Sequence, residues 1–270
     1  MDIHARVKLC TGRIMPALGL GTWELTDNTA EVITKALELG YPMIDTSADY
    51  GTQPGIAEGI KRSGKPRDSF YLVTKVEETD DAYQATRHNL QELQLDYADL
   101  VLIHRPPKSG VGEELWQGLL RARHEGLARD IGVSNYSEEQ IQGLIDASGE
   151  TPVVNQIEWS PFGWSQAMLE FCKSKGILIQ AYSPLTRAER LEHETLVNLA
   201  ERCGKTPAQI IIRWNLQKGV VPLPKANELA HLQENLDVFD FELTAEDMAD
   251  LDDLNENYSS LSSKPIYQQQ

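Results

Sequence analysis

Apolar residues along this chain fall into short, nearly unbroken runs, separated by longer stretches in which they recur every three or four positions. The runs Ala17–Gly21, Met43–Thr46, Phe70–Lys75, Asp99–His104, Asp130–Ser134, Val153–Glu158, Ile177–Tyr182 and Val220–Pro224 are expected to be strands. They do not alternate between polar and apolar positions, which fits strands buried on both faces. Between them, Ala30–Leu39 carries a helical period and stops at Gly40. Ser137-Glu-Glu-Gln140 and Thr206-Pro-Ala-Gln209 each fit a capping box, the second with Pro at the first helical position, and Thr244-Ala-Glu-Asp247 opens a further helix. About eight strand–helix units predict the α/β class and a closed (β/α)8 TIM barrel. An open doubly wound sheet shares the same alternation and is the structural alternative. Val7–Pro16, with a turn at Thr11-Gly12, predicts a short N-terminal β-hairpin over the barrel floor. The Ser- and Gln-rich tail from Asn255 to Gln270 predicts loop or partial disorder, and no composition break divides residues 1–270, so a single barrel domain is expected.

The chain has 270 residues, 41% hydrophobic and 24% charged. That length suits one α/β barrel and buries enough surface to need no disulfide or metal. A formal net charge of −16 turns the reading away from nucleic acid and anionic membranes, and it obliges any anionic ligand to find a local positive site. Cys10, Cys172 and Cys203 are scattered without a C-x-x-C pair, no secretory signal opens the chain, and no apolar run is long enough to span a bilayer. A cytoplasmic protein without a metal centre is expected.

The candidate chemistry sits at the ends of the expected strands. Asp45, Lys75 and His104 each close an apolar run, and Tyr50 follows Asp45 by five residues. In a parallel barrel all strand C-termini open onto one face, so these four residues meet there. A free phenol holds its proton at neutral pH, a nearby ammonium favours the phenolate, and a carboxylate fixes the ammonium. Asp45–Lys75–Tyr50 therefore predicts a tyrosine tuned as a general acid with a lowered pKa, while His104 can donate to a substrate oxygen. Taken singly, each has an ordinary reading: Asp45 as a turn cap or half of a structural ion pair with Lys75, His104 as a satisfied core histidine. Gly19-Leu-Gly21 begins like a dinucleotide fingerprint, but Glu24 occupies the third glycine position.

Over nearly its whole length the chain resembles the aldo-keto reductases, including their bacterial diketo-gluconate reductase-like and aldehyde reductase-like members. The matching stretches are Leu18-Gly-Leu-Gly-Thr-Trp23, Ile44-Asp-Thr-Ser-Ala-Asp-Tyr50, Leu100–His104, Ile131-Gly-Val-Ser-Asn-Tyr136, Val154-Asn-Gln-Ile-Glu158, Ala181-Tyr-Ser-Pro-Leu185 and Val221-Pro-Leu-Pro-Lys225. The resemblance implies a barrel that binds a nicotinamide cofactor without a Rossmann domain and reduces aldehydes and ketones to alcohols. It makes Tyr50 the proton donor, Lys75 and Asp45 its tuning pair, and His104 the group that orients the carbonyl. It assigns Ser134, Asn135 and Gln156 to the carboxamide, Tyr182 to the nicotinamide face, and Ser183, Leu185 and the Thr186–Arg190 loop to the pyrophosphate, with Arg187 and Arg190 as cations. Gly21, Thr22 and Asp45 also count with the cofactor site. The adenosine end maps onto Lys225, Asn227, Glu228, His231, Glu234 and Asn235.

Departures from the family bear on cofactor and substrate. Ala226 replaces a usual serine, His231 a usual arginine, and Glu228 adds a carboxylate. Arginine binds a 2′-phosphate as a permanent bidentate charge, so NADPH with real NADH use is expected. Trp23, Tyr50, Glu77 and His104 are expected in the substrate pocket. Glu77 stands where an aromatic residue is common, and Trp159 replaces a common histidine. The expected partner is a small-molecule carbonyl compound and the expected state a monomer. A cofactor-binding relative without catalysis, and an unrelated barrel lyase or isomerase, are the alternatives.

Overall fold

A computed structural model describes residues 5–25 and 27–262. Near the N-terminus, β1 (Arg6–Lys8) and β2 (Ile14–Pro16) form an antiparallel hairpin with Val7 opposite Met15. The main sheet then runs in chain order through β3 (Leu20–Gly21), β4 (Met43–Asp45), β5 (Tyr71–Val76), β6 (Ala98–Ile103), β7 (Ala128–Ser134), β8 (Val154–Glu158), β9 (Leu178–Tyr182) and β10 (Val221–Pro222). All seven neighbouring pairs are parallel. The sheet curls until its ends meet: Gly19 N–H donates to Pro222 O at 3.1 Å and Gly21 N–H to Pro224 O at 3.2 Å.

The first and last barrel strands are shorter than the expected Ala17–Gly21 and Val220–Pro224. Pro222 and Pro224 have no N–H to return a bond, so the seam is bonded in one direction only. The seam also explains Gly19-Leu-Gly21. A Cβ on Gly21 would stand 2.7 Å from Leu223 O, and one on Gly19 would stand 2.7 Å from Leu223 Cδ2.

Two apolar layers flank the sheet. Outside, Ile44, Leu72, Val101, Ile103 and Ile131 pack in one core with helix residues such as Ile33, Leu90, Leu119 and Ile141. Inside, Met43, Val73, Leu100, Leu102, Val154 and Val221 pack against Leu9 and Met15 of the hairpin, which plugs the floor as expected. The capping boxes at Ser137, Thr206 and Thr244 all form. The Ala30–Leu39 helix starts one residue earlier, at Thr29, and ends at Gly40 with φ 88°. Residues Asn255–Ser262 have no regular structure but are pinned: Glu158, at the end of β8, accepts from Ser259 Oγ at 2.6 Å and from Ser260 N and Oγ, both at 2.7 Å. The rest of the expected tail, 263–270, lies outside the described residues. Among the described residues no helix is long and apolar enough to cross a membrane.

Candidate active site

Strand periodicity builds the site. Residues two apart on a strand point to the same face. Continuing the inner apolar row toward the C-terminal mouth takes Met43 to Asp45, Val73 to Lys75 and Glu77, Leu100 to Leu102 and His104, Val154 to Gln156 and Glu158, and Leu178 to Gln180 and Tyr182. The inward positions thus change from aliphatic to polar at the mouth of the barrel. Tyr50 enters from the 3₁₀ turn Ala48–Tyr50 that follows β4.

Lys75 Nζ donates to Asp45 Oδ1 at 2.7 Å and to Thr46 O at 2.9 Å. The other Asp45 oxygen, Oδ2, accepts from Gln156 Nε2 at 2.7 Å, and Gln156 Nε2 also donates to Gln180 Oε1 at 2.9 Å. The Tyr50 ring centroid lies 4.9 Å from Lys75 Nζ and 5.8 Å from the His104 ring, which it meets edge-on. The four catalytic candidates therefore converge. Burial opposes the Lys75 charge, but Asp45 and Tyr50 outweigh it and hold the ammonium above its usual range. For Tyr50 the direction is opposite to the expected lowering. Burial pushes the phenol up, Lys75 pulls against that rise, and Asp45 and Glu77 add to it. The physical reason is that Lys75 already neutralises Asp45, so its charge does not offset the phenol's lost hydration.

Above this layer opens a cavity of about 580 Å³ that runs from Tyr50 and His104 to His231, Glu234 and Asn235. Asn135, with φ 63°, donates from Nδ2 to His104 O at 3.0 Å and accepts the Tyr182 hydroxyl at Oδ1 at 2.7 Å. This fixes the Tyr182 hydroxyl in the cavity wall. Ser134 Oγ donates to Gln156 O at 2.7 Å. Ser183, Thr186, Arg187 and Ala188 all have positive φ, unusual for residues with side chains, and Ser183, Arg187 and Ala188 line the cavity. Arg187 Nη2 and Lys225 Nζ approach the same Glu24 oxygen at 3.2 and 3.9 Å.

Several expected positions fall elsewhere. Glu77 does not line the cavity, because it is turned into a bond with His104. Asn227 and Glu228 are exposed and outside the lining, and Arg190 pairs with Glu256 at 2.7 Å on the C-terminal segment. Trp159 is wholly buried against Trp164, so its core position bars it from the substrate. Gly21, Thr22, Trp23, Leu185, Arg187, Lys225 and His231 do line the cavity. Sequence reading missed Gln180, Glu24, Asp49, Arg105 and Leu261. The inward row of β9 signals Gln180; for the others, on loops and in the 3₁₀ turn Ala48–Tyr50, no periodic signal exists.

The donor set fits a nicotinamide dinucleotide. Asn235 Nδ2 is buried in the cavity wall without a hydrogen-bond acceptor, and Arg187 and Lys225 put two cations mid-groove in an acidic protein. At the mouth of the parallel barrel, a buried carboxylate, ammonium and phenol stand close enough to hold and pass a proton. Residues 17–256 match the model of the Aldo/keto reductase family. The chain is 38% identical over 257 residues to a glyoxal reductase of Bacillus subtilis, covering 93% of each. It is 39% identical over 254 residues to a methylglyoxal reductase of Yersinia pestis, covering 92% of each. Its fold superposes on an aldo-keto reductase of Bombyx mori, solved in complex with NADP, with a TM-score of 0.90 at 31% identity and 99% coverage of both chains. The chain belongs to the aldo/keto reductase family and is an oxidoreductase acting on carbonyl and alcohol groups.

Proposed function

We propose that this protein reduces small aldehydes and ketones with NADPH, and that Tyr50 is the general acid. The observation that carries the reading is the buried relay in which Lys75, bonded to Asp45 at 2.7 Å, stands beside the Tyr50 phenol. A bound nicotinamide supplies hydride to the carbonyl carbon. Gln156 uses its amide hydrogens on Asp45 and Gln180, which leaves its Oε1 to accept from a carboxamide N–H. Tyr182 offers its ring face to the nicotinamide, and Asn235 Nδ2 offers a donor at the adenosine end. Tyr50 and His104 bracket the place for the carbonyl oxygen, and Trp23 and Leu261 supply apolar walls. The relatives named for glyoxal and methylglyoxal make short α-oxoaldehydes the first substrates to try. NADPH consumption with a panel of such aldehydes, ketones and aldoses tests the reading. No turnover with any of them, despite bound cofactor, would refute it.

The 2′-phosphate end is weakly furnished. His231 is exposed and lines the cavity, Ala226 is buried, and Glu228 is exposed nearby in sequence. Without a permanent bidentate cation, NADH should be a usable donor. A kcat/KM preference for NADPH above about a thousandfold, or about 4 kcal/mol, would be too large for this arrangement.

Glu24 draws Arg187 and Lys225 together where a pyrophosphate would compete for them. Glu24→Gln should free both cations and tighten NADPH binding by up to about fivefold at low salt, the scale of an exposed ion pair. Fluorescence titration at two ionic strengths checks this, since the gain should shrink as salt rises.

A further inference from the structure

Beneath the cavity, the inward rows of four strands carry one continuous line of polar bonds. Lys75 on β5 donates to Asp45 on β4, Asp45 accepts from Gln156 on β8, and Gln156 donates to Gln180 on β9. Gln156 and Gln180 are partners in the parallel register of β8 and β9, so their side chains stand side by side on the inner face. The line ends on sulfur: Gln180 Nε2 donates to Met15 Sδ of the hairpin at 3.3 Å and to Met43 Sδ at 3.7 Å. Gln156 lines the cavity, whereas Gln180 is 0% exposed and lies outside the lining.

Each amide in the line fits in one direction only. An amide carries two hydrogens at nitrogen and only lone pairs at oxygen, and a thioether accepts but cannot donate. Turning Gln180 over would set its Oε1 against two sulfur lone pairs and its Nε2 against the Nε2 of Gln156. Turning Gln156 over would set its Oε1 against Asp45 Oδ2 and Gln180 Oε1, three acceptors with no hydrogen between them. The thioethers thus fix Gln180, and Gln180 with Asp45 fixes Gln156. Asp45 alone takes one Gln156 hydrogen and leaves the second to turn toward the cavity. Gln180 takes that second hydrogen, with its Oε1 2.9 Å from Gln156 Nε2. The Gln156 nitrogen is then spent within the barrel, and Oε1 is the polar atom it has left for the cavity.

We propose that Gln180 is a positioning residue that makes Gln156 solely an acceptor toward the cofactor, so that the site selects a nicotinamide whose carboxamide offers an N–H. Gln180 acts through Gln156 and touches no ligand. This rests on the proposed function, in which a nicotinamide dinucleotide fills the cavity. The consequence is discrimination between NADP⁺ and its 3-acetylpyridine analogue, in which a methyl ketone replaces the carboxamide and has no N–H to give. A Gln156 with a loose second hydrogen can donate to the carbonyl that both ring substituents share, so the preference should fade when the Gln180 acceptor is removed.

The test is the ratio of dissociation constants for the two oxidised dinucleotides, measured by calorimetry on the intact enzyme, Q180M and Q180E. Methionine keeps the length of the side chain and removes the acceptor oxygen, whereas glutamate keeps an oxygen toward Gln156. The intact enzyme should bind NADP⁺ about fivefold more tightly than the analogue, the scale of one neutral hydrogen bond. Q180M should bring the ratio close to one, mostly by weakening NADP⁺, and Q180E should keep it. A merely structural role for Gln180 would weaken both dinucleotides alike, and a ratio unchanged in Q180M therefore overturns the proposal. If Q180M does not fold, Q180E decides by itself: a retained ratio supports an acceptor at this position, and a lost one overturns it. Equal binding of NADP⁺ and analogue by the intact enzyme overturns the proposal while leaving the proposed function standing. An intact enzyme that binds neither dinucleotide sinks the proposed function and takes the role of Gln180 with it.

Discussion

Tyr50→Phe is expected to lower kcat/KM for aldehyde reduction by about 10²–10⁴-fold, the usual contribution of a positioned general acid. NADPH binding, followed by fluorescence quenching, should be unchanged. The substitution removes one oxygen and keeps the ring, so the edge contact with His104 and the approach of Lys75 to the ring are preserved. Lys75 does not depend on the phenol for its place, because Asp45 Oδ1 and Thr46 O both hold it. What is lost is the phenol proton that lies beside the buried ammonium. The raised pKa of the free phenol is no obstacle. A general acid must hold its proton until charge develops on the substrate oxygen, and a buried tyrosine does so throughout the neutral range. Lys75 then stabilises the phenolate left behind. Full turnover in the variant would move the acid role to His104 and dissolve the assignment.

The barrel was legible because its strands are buried on both faces and read as unbroken apolar runs, and because glycine and capping-box residues mark the helix ends at Gly40, Ser137 and Thr206. The four catalytic candidates were legible for a related reason. They stand where an apolar run turns polar, and a parallel barrel brings those turning points to one face. Direction was harder. Strand parity places Glu77 on the inward row, but only the positions of His104 and Arg105 show that its carboxylate is spent on them and not presented to substrate. The sign of the Tyr50 shift depended on burial, which sequence does not quantify. The cavity positions of Glu24, Asp49 and Leu261 were not read, because loops and a three-residue 3₁₀ turn carry no spacing that says what a side chain faces. Trp159 misled for the opposite reason: it follows a strand that carries functional residues, yet its ring turns into the core against Trp164.

Lys75→Met should destabilise the fold as well as silence it. The Lys75 side chain is 0% exposed and the Asp45 side chain 4%, so each is the other's main compensation for lost water. Removing the ammonium leaves the Asp45 carboxylate buried with the Gln156 amide as its remaining side-chain donor. Breaking a buried pair from one side costs about 3–5 kcal/mol, which for a chain of this size is a fall of roughly 10 °C in the thermal midpoint. Asp45→Asn added to Lys75→Met removes the stranded charge and keeps an oxygen for Gln156. The double variant should therefore recover most of the lost stability, a strong non-additivity expected of directly bonded groups. It should recover none of the activity, because no cation is left to stabilise a Tyr50 phenolate. Thermal unfolding and aldehyde reduction measured on the same three proteins separate the two roles. Equal losses of stability in the single and double variants would mean that the pair is held for packing and not for charge, and the relay would then have to be traced through some other cation.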